Sequence, residues 1–241
     1  MSMLLLDAGN SRVKWALTEG EQWLQQGIVE NAQIAELRKT FSALSPPQKI
    51  IASNVAGQPI AQQLREACAA WTVPVEFISA KNQQCGVRNT YQHPEQLGSD
   101  RWAALVATRH LHRIACLVVN CGTATTVDAL SANGEFLGGL ILPGLDMMRR
   151  SLAKDTAQLS EAAGKWQTFP RNTADAIVSG AVQATVGAIH LQFAVLASQG
   201  EARCILSGGA ADQVQPHLKI PLACDDHLVL RGLQVIGMGA L

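Results

Sequence analysis

The chain has 241 residues, which is enough for one large domain or two modest ones. Hydrophobic residues make up 48% of it and charged residues 16%, with 19 basic residues against 19 acidic ones. This balance excludes the broad positive field of proteins that bind nucleic acid or membrane surfaces, so we expect neither partner. No signal sequence is evident and no segment approaches the ~20 apolar residues of a membrane span, which predicts a cytoplasmic protein.

The first half of the chain predicts hairpins followed by βαβ alternation. Apolar and alternating runs indicate strands at 3–7, 12–18, 22–29, 48–53 and 75–78, and helices at 31–44 and 57–71. A further apolar helix begins at Ser99 and connects to the second half.

The second half repeats this pattern. Strands are expected at 115–120, 124–130, 134–142 and 203–207, and helices at 144–153, 173–199 and 226–237. The repetition predicts two domains of similar architecture, 1–113 and 114–241. The stretch 154–172 has weak periodicity and is the best candidate for a mobile surface loop.

A glycine-centred turn follows the first strand. Asp7 ends the strand, Gly9 lies at the apex, and Lys14 lies on the returning strand. A glycine lets the backbone approach a phosphate, and neighbouring hydroxyl and N–H groups can donate to its oxygens. The Asp7 carboxylate would suit such a site if a divalent ion lay between it and the phosphate. The alternative is that Gly9 and Asn10 serve hairpin geometry alone.

A second turn of this kind follows a strand of the second half. It places three hydroxyls in the four positions 123–126, directly after Gly122. A plain threonine-rich strand is the alternative. The later segment Ser207-Gly208-Gly209 suits the close approach of a flat ligand such as adenine or its ribose, or a simple strand-to-helix turn. Two glycine-centred turns indicate a nucleotide held between two similar domains.

The segment Gly98-Ser99-Asp100-Arg101 opens the connecting helix. Ser99 is suited to the N-cap, and the helix dipole is expected to hold Asp100 ionised, as a weak base. These structural roles leave Arg101 unexplained. An Asp–Arg pair at a helix N-terminus can receive a substrate that bears a carboxylate and a hydroxyl to be activated. A weak base suffices for phosphoryl transfer, in which positioning and charge neutralisation supply most of the catalysis.

Other common sites are missing from the sequence. It contains neither G-x-x-x-x-G-K-[ST] nor G-x-S-x-G, which excludes a P-loop and a nucleophile elbow. Six cysteines without a C-x-x-C pair favour reduced thiols. His110 and His112 would point to different faces of a helix and the other histidines are isolated, so no histidine metal site is expected.

Together, these motifs resemble those of the type III pantothenate kinases, a bacterial family of the actin-like, ribonuclease H-like phosphotransferases. The resemblance extends over nearly the whole chain, and the order and spacing of its motifs are specific. The matching segments are Asp7-Ala8-Gly9-Asn10-Ser11 with Lys14, Gly98-Ser99-Asp100-Arg101, Gly122-Thr123-Ala124-Thr125-Thr126-Val127-Asp128, Gly138-Gly139, Pro143-Gly144, Asn172-Thr173 and Ser207-Gly208-Gly209. The resemblance implies an α/β fold of two ribonuclease H-like (actin-like ATPase) domains, with mixed sheets flanked by helices and ATP in the cleft between the domains.

The resemblance also implies roles for individual residues. Asp100 would accept the proton of the pantothenate hydroxyl. ATP contacts are expected at Asp7, Ala8, Gly9, Asn10, Ser11, Arg12, Val13, Lys14 and Thr123. Pantothenate contacts are expected at Tyr91, Gly98, Ser99, Asp100, Arg101 and Thr173.

The family works as a homodimer and uses Mg²⁺ together with a monovalent cation, K⁺ or NH₄⁺. By this resemblance Asp7 would hold the Mg²⁺ of Mg·ATP, through water. The usual monovalent-cation ligand is an Asp where this chain has Asn120. An amide keeps an oxygen but drops the charge, so we expect a weakened cation site.

The function implied is ATP-dependent phosphorylation of pantothenate to 4′-phosphopantothenate, the first step of coenzyme A biosynthesis. One alternative is a regulatory protein of the same fold that assists transcription. Another is a kinase for a different small hydroxy acid. The presence of Asp7, Lys14, Asp100 and Arg101 favours the enzyme, because a chain retained only for regulation could have lost them.

Overall fold

The computed structural model of the chain describes residues 1–155 and 164–239. By their contacts these residues divide into two compact units. The first unit comprises 1–112, 134–136 and 227–239. The second comprises 113–133 and the described part of 137–226.

Strands and helices alternate along the chain. The strands are β1 (Ser2–Ala8), β2 (Arg12–Glu19), β3 (Gln22–Glu30), β4 (Lys49–Asn54), β5 (Val75–Phe77), β6 (Gln83–Gln84), β7 (Val87–Asn89), β8 (Ala115–Cys121), β9 (Ala124–Leu130), β10 (Glu135–Pro143), β11 (Ala202–Ser207) and β12 (Leu222–Cys224). The α-helices are α1 (Leu37–Ser42), α2 (Gln58–Ala67), α3 (Ser99–Leu111), α4 (Leu145–Asp155), α5 (Thr173–Ala197), α6 (Ala211–Val214) and α7 (Leu228–Met238). Short 3₁₀ turns occupy Asn31–Glu36, Pro94–Gln96 and Gln215–His217.

The first unit is built on a five-stranded sheet in the order β3-β2-β1-β4-β5. β2 is antiparallel to both β1 and β3, whereas β4 runs parallel to β1 and β5 runs parallel to β4. Side chains alternate between the two faces of a strand. Leu4 and Leu6 of β1 therefore join one core, with Phe41 of α1 and Leu64 of α2.

Helix α7 packs on the other face of this sheet. A Cβ on its Gly237 would lie 2.7 Å from Met3 Sδ and 2.6 Å from Ile51 Cδ1. A Cβ on Gly232 would overlap the backbone of Ala103 in α3. The two glycines thus let α7 approach both the sheet and α3 more closely than any larger residue would allow.

The second unit repeats the strand order of the first. Its strands lie in the order β12-β11-β8-β9-β10. β8 is antiparallel to β9 and parallel to β11, and β11 is parallel to β12. Counted from the first strand of each unit, both sheets have the order 3-2-1-4-5. Leu117 and Val119 of β8 pack with Ile189 and Phe193 of α5 in the core of this unit.

Strand β10 begins in the first unit and continues in the second. Its first two residues, Glu135 and Phe136, pair in parallel with Arg88 and Asn89 of β7. β7 forms a short hairpin with β6. This pairing extends the second sheet by two short strands, to the order β12-β11-β8-β9-β10-β7-β6.

The predicted strands and helices are confirmed, with small shifts at their ends. The helix predicted at 31–44 begins as the 3₁₀ turn Asn31–Glu36 and becomes α-helical only at Leu37. The sequence did not predict β6, β7, β12 or α6. Each of these elements has two to four residues, which is too few for a periodic pattern.

The predicted domains, 1–113 and 114–241, stay a prediction. By contacts, α7 groups with the first unit because its apolar face packs on β1, β4 and α3. Of the predicted mobile loop at 154–172, residues 156–163 lie outside the described part of the chain.

Helix α5 corrects the expectation that no segment approaches a membrane span. Its best 18-residue window has a mean hydropathy of 1.4, and 33% of that window is buried. Length and composition alone therefore qualify it as a helix that could cross a membrane. This is weak evidence for a membrane location, since the core helix of a soluble protein passes the same test.

Candidate active site

The first predicted turn is a tight hairpin between β1 and β2. Asp7, near the end of β1, lies beside Lys14 of β2 in the sheet register. On its other side it lies beside Ser53 of β4. Asp7 and Lys14 are half-buried, and Ser53 is fully buried. The sheet thus places a carboxylate, an ammonium group and a hydroxyl on three neighbouring strands next to the turn.

A residue outside the predicted site holds this turn. Gly9 N donates to Arg12 O at 3.0 Å and closes the hairpin, whose tip residues Asn10 and Ser11 are exposed. Asn31 donates its backbone N–H to Ser11 O at 3.0 Å and its side-chain Nδ2 to Gly9 O at 2.9 Å. Sequence reasoning missed Asn31. The available signal was a short amide residue at the junction of β3 and a helical turn.

The start of α3 differs from the expectation. Gly98 occupies the N-cap position, and Ser99 is the first helical residue. The buried Ser99 hydroxyl forms a hydrogen bond with the Ser53 hydroxyl, with 2.9 Å between the Oγ atoms. The predicted N-cap role of Ser99 is therefore wrong, because a tertiary partner binds its hydroxyl. This bond attaches the start of α3 to the strand beside Asp7.

Asp100 folds back on the first turn of α3. Its Oδ1 accepts a hydrogen bond from Arg101 N at 2.8 Å. A Cβ on Gly98 would lie 2.7 Å from the same oxygen. The glycine at the N-cap therefore makes room for the carboxylate.

The carboxyl groups of Asp7 and Asp100 both have raised pKa values. Burial and the charge of Asp100 raise the pKa of Asp7 from 3.8 to about 7, against the lowering effect of Lys14. Burial also raises the pKa of Asp100, and it outweighs the lowering effects of the Arg101 N–H and the Arg101 charge. This direction is opposite to the one expected from the helix dipole, because desolvation outweighs the neighbouring groups that favour the charged form. A raised pKa makes Asp100 a stronger proton acceptor.

Two aromatic rings lie against the buried Arg101 guanidinium. Its central carbon is 5.9 Å from the ring centroid of Tyr91 and 5.8 Å from that of Phe136. Both Nη atoms lie 3.4 Å from Tyr91 Oη. The structure thus brings together Tyr91 and Arg101, two predicted substrate contacts. Phe136 was missed, because only strand pairing in the folded chain places it there.

The second predicted turn is also a tight hairpin, one residue shorter than the first. Gly122 N donates to Ala124 O at 3.1 Å between β8 and β9. Asn120 lies beside Thr126 of β9 and beside Ser207 of β11. An ion at this position would find one amide oxygen and hydroxyls on the two neighbouring strands, with no carboxylate among these three side chains.

Main-chain groups hold the second turn. Gly144 N donates to Thr123 O at 3.0 Å, and Ala210 N donates to Cys121 O at 3.0 Å. A Cβ on Gly144 would overlap the backbone of the turn, and one on Gly208 would overlap the backbone of Cys121. The close approach expected at Gly208 is therefore to protein backbone, which supports the alternative of a structural strand-to-helix turn.

Thr173 is exposed at the first position of α5, in the second unit. The N-cap residue Asn172 accepts a hydrogen bond from Asp175 N at 2.9 Å. Lys165 N donates to Asp175 Oδ1 at 2.7 Å, and Asn172 Nδ2 donates to Asp175 Oδ2 at 2.8 Å. These two bonds lower the pKa of Asp175. The chain before α5 is thereby attached to the helix start that carries Thr173.

A divalent ion would find a ligand at the first turn but not a protein cage. Within residues 1–155 and 164–239, no group of three or more His, Cys, Asp or Glu side chains is placed to hold a metal. Mg²⁺ usually keeps several waters and binds one or two carboxylates together with substrate phosphates. Asp7 fits such a ligand, because burial and the charge of Asp100 raise its pKa and a bound cation would favour its charged form.

Comparison with known proteins decides the family. The model of the type III pantothenate kinase family matches residues 3–194. A type III pantothenate kinase of Aromatoleum aromaticum is 50% identical over 234 residues, which are 97% of this chain and 97% of that protein. The chain belongs to the type III pantothenate kinase family. As a type III pantothenate kinase it is a phosphotransferase that acts on the hydroxyl group of pantothenate, in coenzyme A biosynthesis.

Solved structures of low sequence identity share the fold of this pantothenate kinase. A candidate 2-dehydro-3-deoxygalactonokinase of Sinorhizobium meliloti matches with a TM-score of 0.63 at 14% identity, over 99% of this chain and 100% of that one. A candidate Baf family transcriptional activator of Campylobacter jejuni matches with a TM-score of 0.62 at 21% identity, over the same shares. These likenesses show the fold alone. They confirm the predicted class of mixed sheets flanked by helices, whereas the ATP cleft stays a prediction.

Proposed function

We propose that this chain transfers the γ-phosphoryl group of ATP to the hydroxyl of pantothenate, with Asp100 as the proton acceptor. The hydroxyl oxygen forms a bond to the γ-phosphorus while the bond from that phosphorus to the β–γ bridging oxygen breaks and ADP leaves. The hydroxyl proton goes to Asp100. The observation that carries the proposal is the hydrogen bond between Ser99 and Ser53, which attaches the start of α3, and with it Asp100, to the strand beside Asp7.

We assign to Arg101 the binding of the pantothenate carboxylate. A planar guanidinium binds a carboxylate through two parallel hydrogen bonds, and burial strengthens such a pair. The rings of Tyr91 and Phe136 support this assignment, because they restrict the orientation of the guanidinium. The remaining proposed contacts with pantothenate are Tyr91, Gly98, Ser99 and Thr173.

The phosphates of ATP are assigned to the first turn, residues 7–14, and to Thr123 of the second. Asp7 would hold Mg²⁺ through water, and the ion would supply neutralising charge at the β- and γ-phosphates. Lys14 beside Asp7 supplies a further positive charge next to the turn. A monovalent cation, K⁺ or NH₄⁺, is assigned to Asn120, with weaker binding than a carboxylate would give.

A homodimer is proposed from the exposed face of α5. One face of this helix lies in the core of the second unit. The opposite face carries small and apolar residues three or four positions apart: Gly180, Ala184, Gly187, Leu191 and Val195. Leu191 is 67% exposed and Val195 57%. An uncharged apolar face favours burial, and a second copy of the chain would provide it.

Sedimentation tests the dimer. Leu191→Glu should convert a dimer to a monomer, because a carboxylate would be buried in the interface. Leu24→Glu is the control, since Leu24 is an exposed leucine of the first unit. A wild-type protein that sediments as a monomer at micromolar concentration would contradict the dimer.

Asp100→Asn tests the proposed mechanism. The amide cannot accept the proton, so kcat should fall ~10²–10⁴-fold while ATP affinity changes little. Arg101→Lys keeps the charge but loses the planar fork, and should raise the KM for pantothenate more than that for ATP. A coupled ADP assay measures both effects. Near-wild-type turnover of the Asp100→Asn variant would show that Asp100 is not the proton acceptor.

A panel of acceptors separates the alternatives. Radiolabelled ATP and pantothenate should yield labelled 4′-phosphopantothenate, whereas preferential labelling of another hydroxy acid would indicate a different kinase. Failure to label any acceptor would favour the regulatory role. The likeness to a Baf family protein does not favour that role, because at 21% identity it shows the fold alone. A cytoplasmic location and the lack of a nucleic-acid or membrane partner stay predictions.

A further inference from the structure

Asn31 contacts the first turn through both its main chain and its side chain. Its backbone N–H donates to Ser11 O at 3.0 Å, and its Nδ2 donates to Gly9 O at 2.9 Å. One residue thereby binds the two carbonyl oxygens on either side of Asn10, the tip of the turn.

These two bonds decide which way the peptide groups of the turn face. In a trans peptide the C=O and the following N–H point in opposite directions. Since the carbonyls of Gly9 and Ser11 point toward Asn31, the N–H groups of Asn10 and Arg12 point away from it. A phosphate is attracted by N–H groups and repelled by carbonyl oxygens. Asn31 therefore holds the carbonyl oxygens of Gly9 and Ser11 on one side of the turn and leaves the N–H groups of Asn10 and Arg12 on the other.

Comparison of the first turn with the second distinguishes the role of the Asn31 side chain from that of its backbone. There, Gly144 follows β10 as Asn31 follows β3, and its N–H donates to Thr123 O at 3.0 Å. This bond is the equivalent of the bond from Asn31 N to Ser11 O. A glycine has no side chain to bind a second carbonyl. The backbone bond thus belongs to the shared hairpin fold, whereas the bond from Asn31 Nδ2 is an addition at the first turn.

The oxygen of the same amide group indicates that hairpin stability alone does not account for Asn31. Asn31 Oδ1 is buried and has no hydrogen-bond partner within the described ranges, 1–155 and 164–239. A buried acceptor without a partner is unfavourable and offsets much of what one donated hydrogen bond contributes. The amide is therefore better explained by the orientation that it imposes on Gly9 than by a net gain in stability.

We propose that Asn31 is a positioning residue for ATP. Its side chain holds the Gly9 carbonyl away from the phosphates and so keeps the Asn10 N–H available to them. This inference rests on the proposed function, in which the first turn binds the phosphates of ATP. Asn31 acts through the turn and does not itself touch the nucleotide.

Two substitutions and a matched control test the proposal. Asn31→Ala removes the side-chain donor, and Asn31→Asp replaces it with an oxygen that repels Gly9 O; both keep the backbone bond. Gln33→Ala is the control, because Gln33 is an exposed amide in the same 3₁₀ turn. Calorimetry with a non-hydrolysable ATP analogue and Mg²⁺ measures nucleotide binding, the coupled ADP assay measures both KM values, and thermal unfolding reports the fold.

Asn31→Ala should weaken nucleotide binding about tenfold, Asn31→Asp should weaken it further, and Gln33→Ala should leave it unchanged. The KM for pantothenate should stay the same in all three. Unchanged nucleotide affinity in both Asn31 variants, or an equal rise of the two KM values, would overturn the proposal. Failure of the wild-type protein to phosphorylate pantothenate would instead overturn the proposed function. The nucleotide-binding comparison would still decide the role of Asn31 in that case.

Discussion

The two glycine-centred turns lie at equivalent positions of their sheets but differ in length by one residue and in charge. Each joins the first two strands of a sheet with the order 3-2-1-4-5. At the end of the first strand, Asp7 lies beside Lys14 and Ser53, and its equivalent Asn120 lies beside Thr126 and Ser207. The register is the same, whereas the carboxylate and the ammonium group occur only in the first turn. The repeated fold thus provides two similar frames, of which the first has a carboxylate and an ammonium group where the second has an amide and a hydroxyl.

The turns also differ in what holds them. In the first turn a side chain, that of Asn31, binds the Gly9 carbonyl at 2.9 Å. In the second turn, Gly144 and Gly208 bring other main-chain segments directly against the hairpin. A turn held by a side chain can lose that contact by a point substitution without a steric clash. In the second turn, by contrast, a Cβ on Gly144 or Gly208 would force the backbone of the hairpin to move.

The largest expected difference concerns the charge at the end of the first strand. The folded state raises the pKa of Asp7 from 3.8 to about 7, so the carboxyl contributes stability below pH 3.8 that is lost as the pH rises through about 7. Asp7→Asn does not titrate. Between pH 4 and pH 8 without Mg²⁺, the unfolding free energy of the wild type should therefore fall by up to ~4 kcal/mol relative to that of this variant.

Urea unfolding in the presence of a chelator, repeated across this pH range, measures that difference. Asn120→Ala is the control at the equivalent position of the second turn. Its offset from the wild type should not depend on pH, because an amide does not titrate there. A constant offset for Asp7→Asn as well would contradict the raised pKa.

The next largest effect concerns the packing of the second turn. A Cβ on Gly144 would overlap the carbonyl oxygens of Gly122 and Thr123. Gly144→Ala should therefore cost about 1–3 kcal/mol of unfolding free energy. Gly122→Ala is the matched control in the same turn, since its Cβ would lie 3.5 Å from Ala124 O, an ordinary contact. Equal unfolding midpoints for the two variants in urea would show that the turn relaxes around the added methyl group.

A smaller effect concerns the hydroxyl pair that attaches α3 to the first sheet. Ser99→Ala leaves the buried Ser53 hydroxyl without its partner at 2.9 Å and should cost about 1–2 kcal/mol. The double variant Ser53→Ala/Ser99→Ala removes both polar groups and should be closer to the wild type than the single variant. A double variant as unstable as the sum of its singles would mean that the two hydroxyls do not stabilise each other.

The smallest effect concerns Asn120→Asp, which gives the second turn the carboxylate that it lacks. A full charge binds K⁺ more tightly than an amide dipole, so activation by K⁺ should become a few-fold steeper than in the wild type. Titration of KCl against a bulky organic cation at fixed ionic strength measures this. Strong, saturable K⁺ activation of the unmodified protein would instead indicate that other oxygens complete the site.

Much of this structure was predictable from local sequence patterns. Hairpins with a glycine in the turn, strands of alternating polarity and helices of regular period depend on neighbouring residues, and all the longer elements were predicted correctly. The motif spacing likewise led to the family, which the match over residues 3–194 confirms. The elements that were missed, such as β6 and β12, form because a neighbouring strand pairs with them.

The sequence by itself thus determined the order of the elements, the two turns and the family, because these follow from residues close together in the chain. Only the tertiary structure decided that Ser99 binds Ser53 and does not cap α3, and that burial raises the pKa of Asp100 against the hydrogen bond and the charge of Arg101. It alone placed Asn31 against the first turn, 22 residues from Gly9. Hydrogen bonds between distant segments and the desolvation of a carboxylate depend on what the fold packs around each group. No local pattern contains that information.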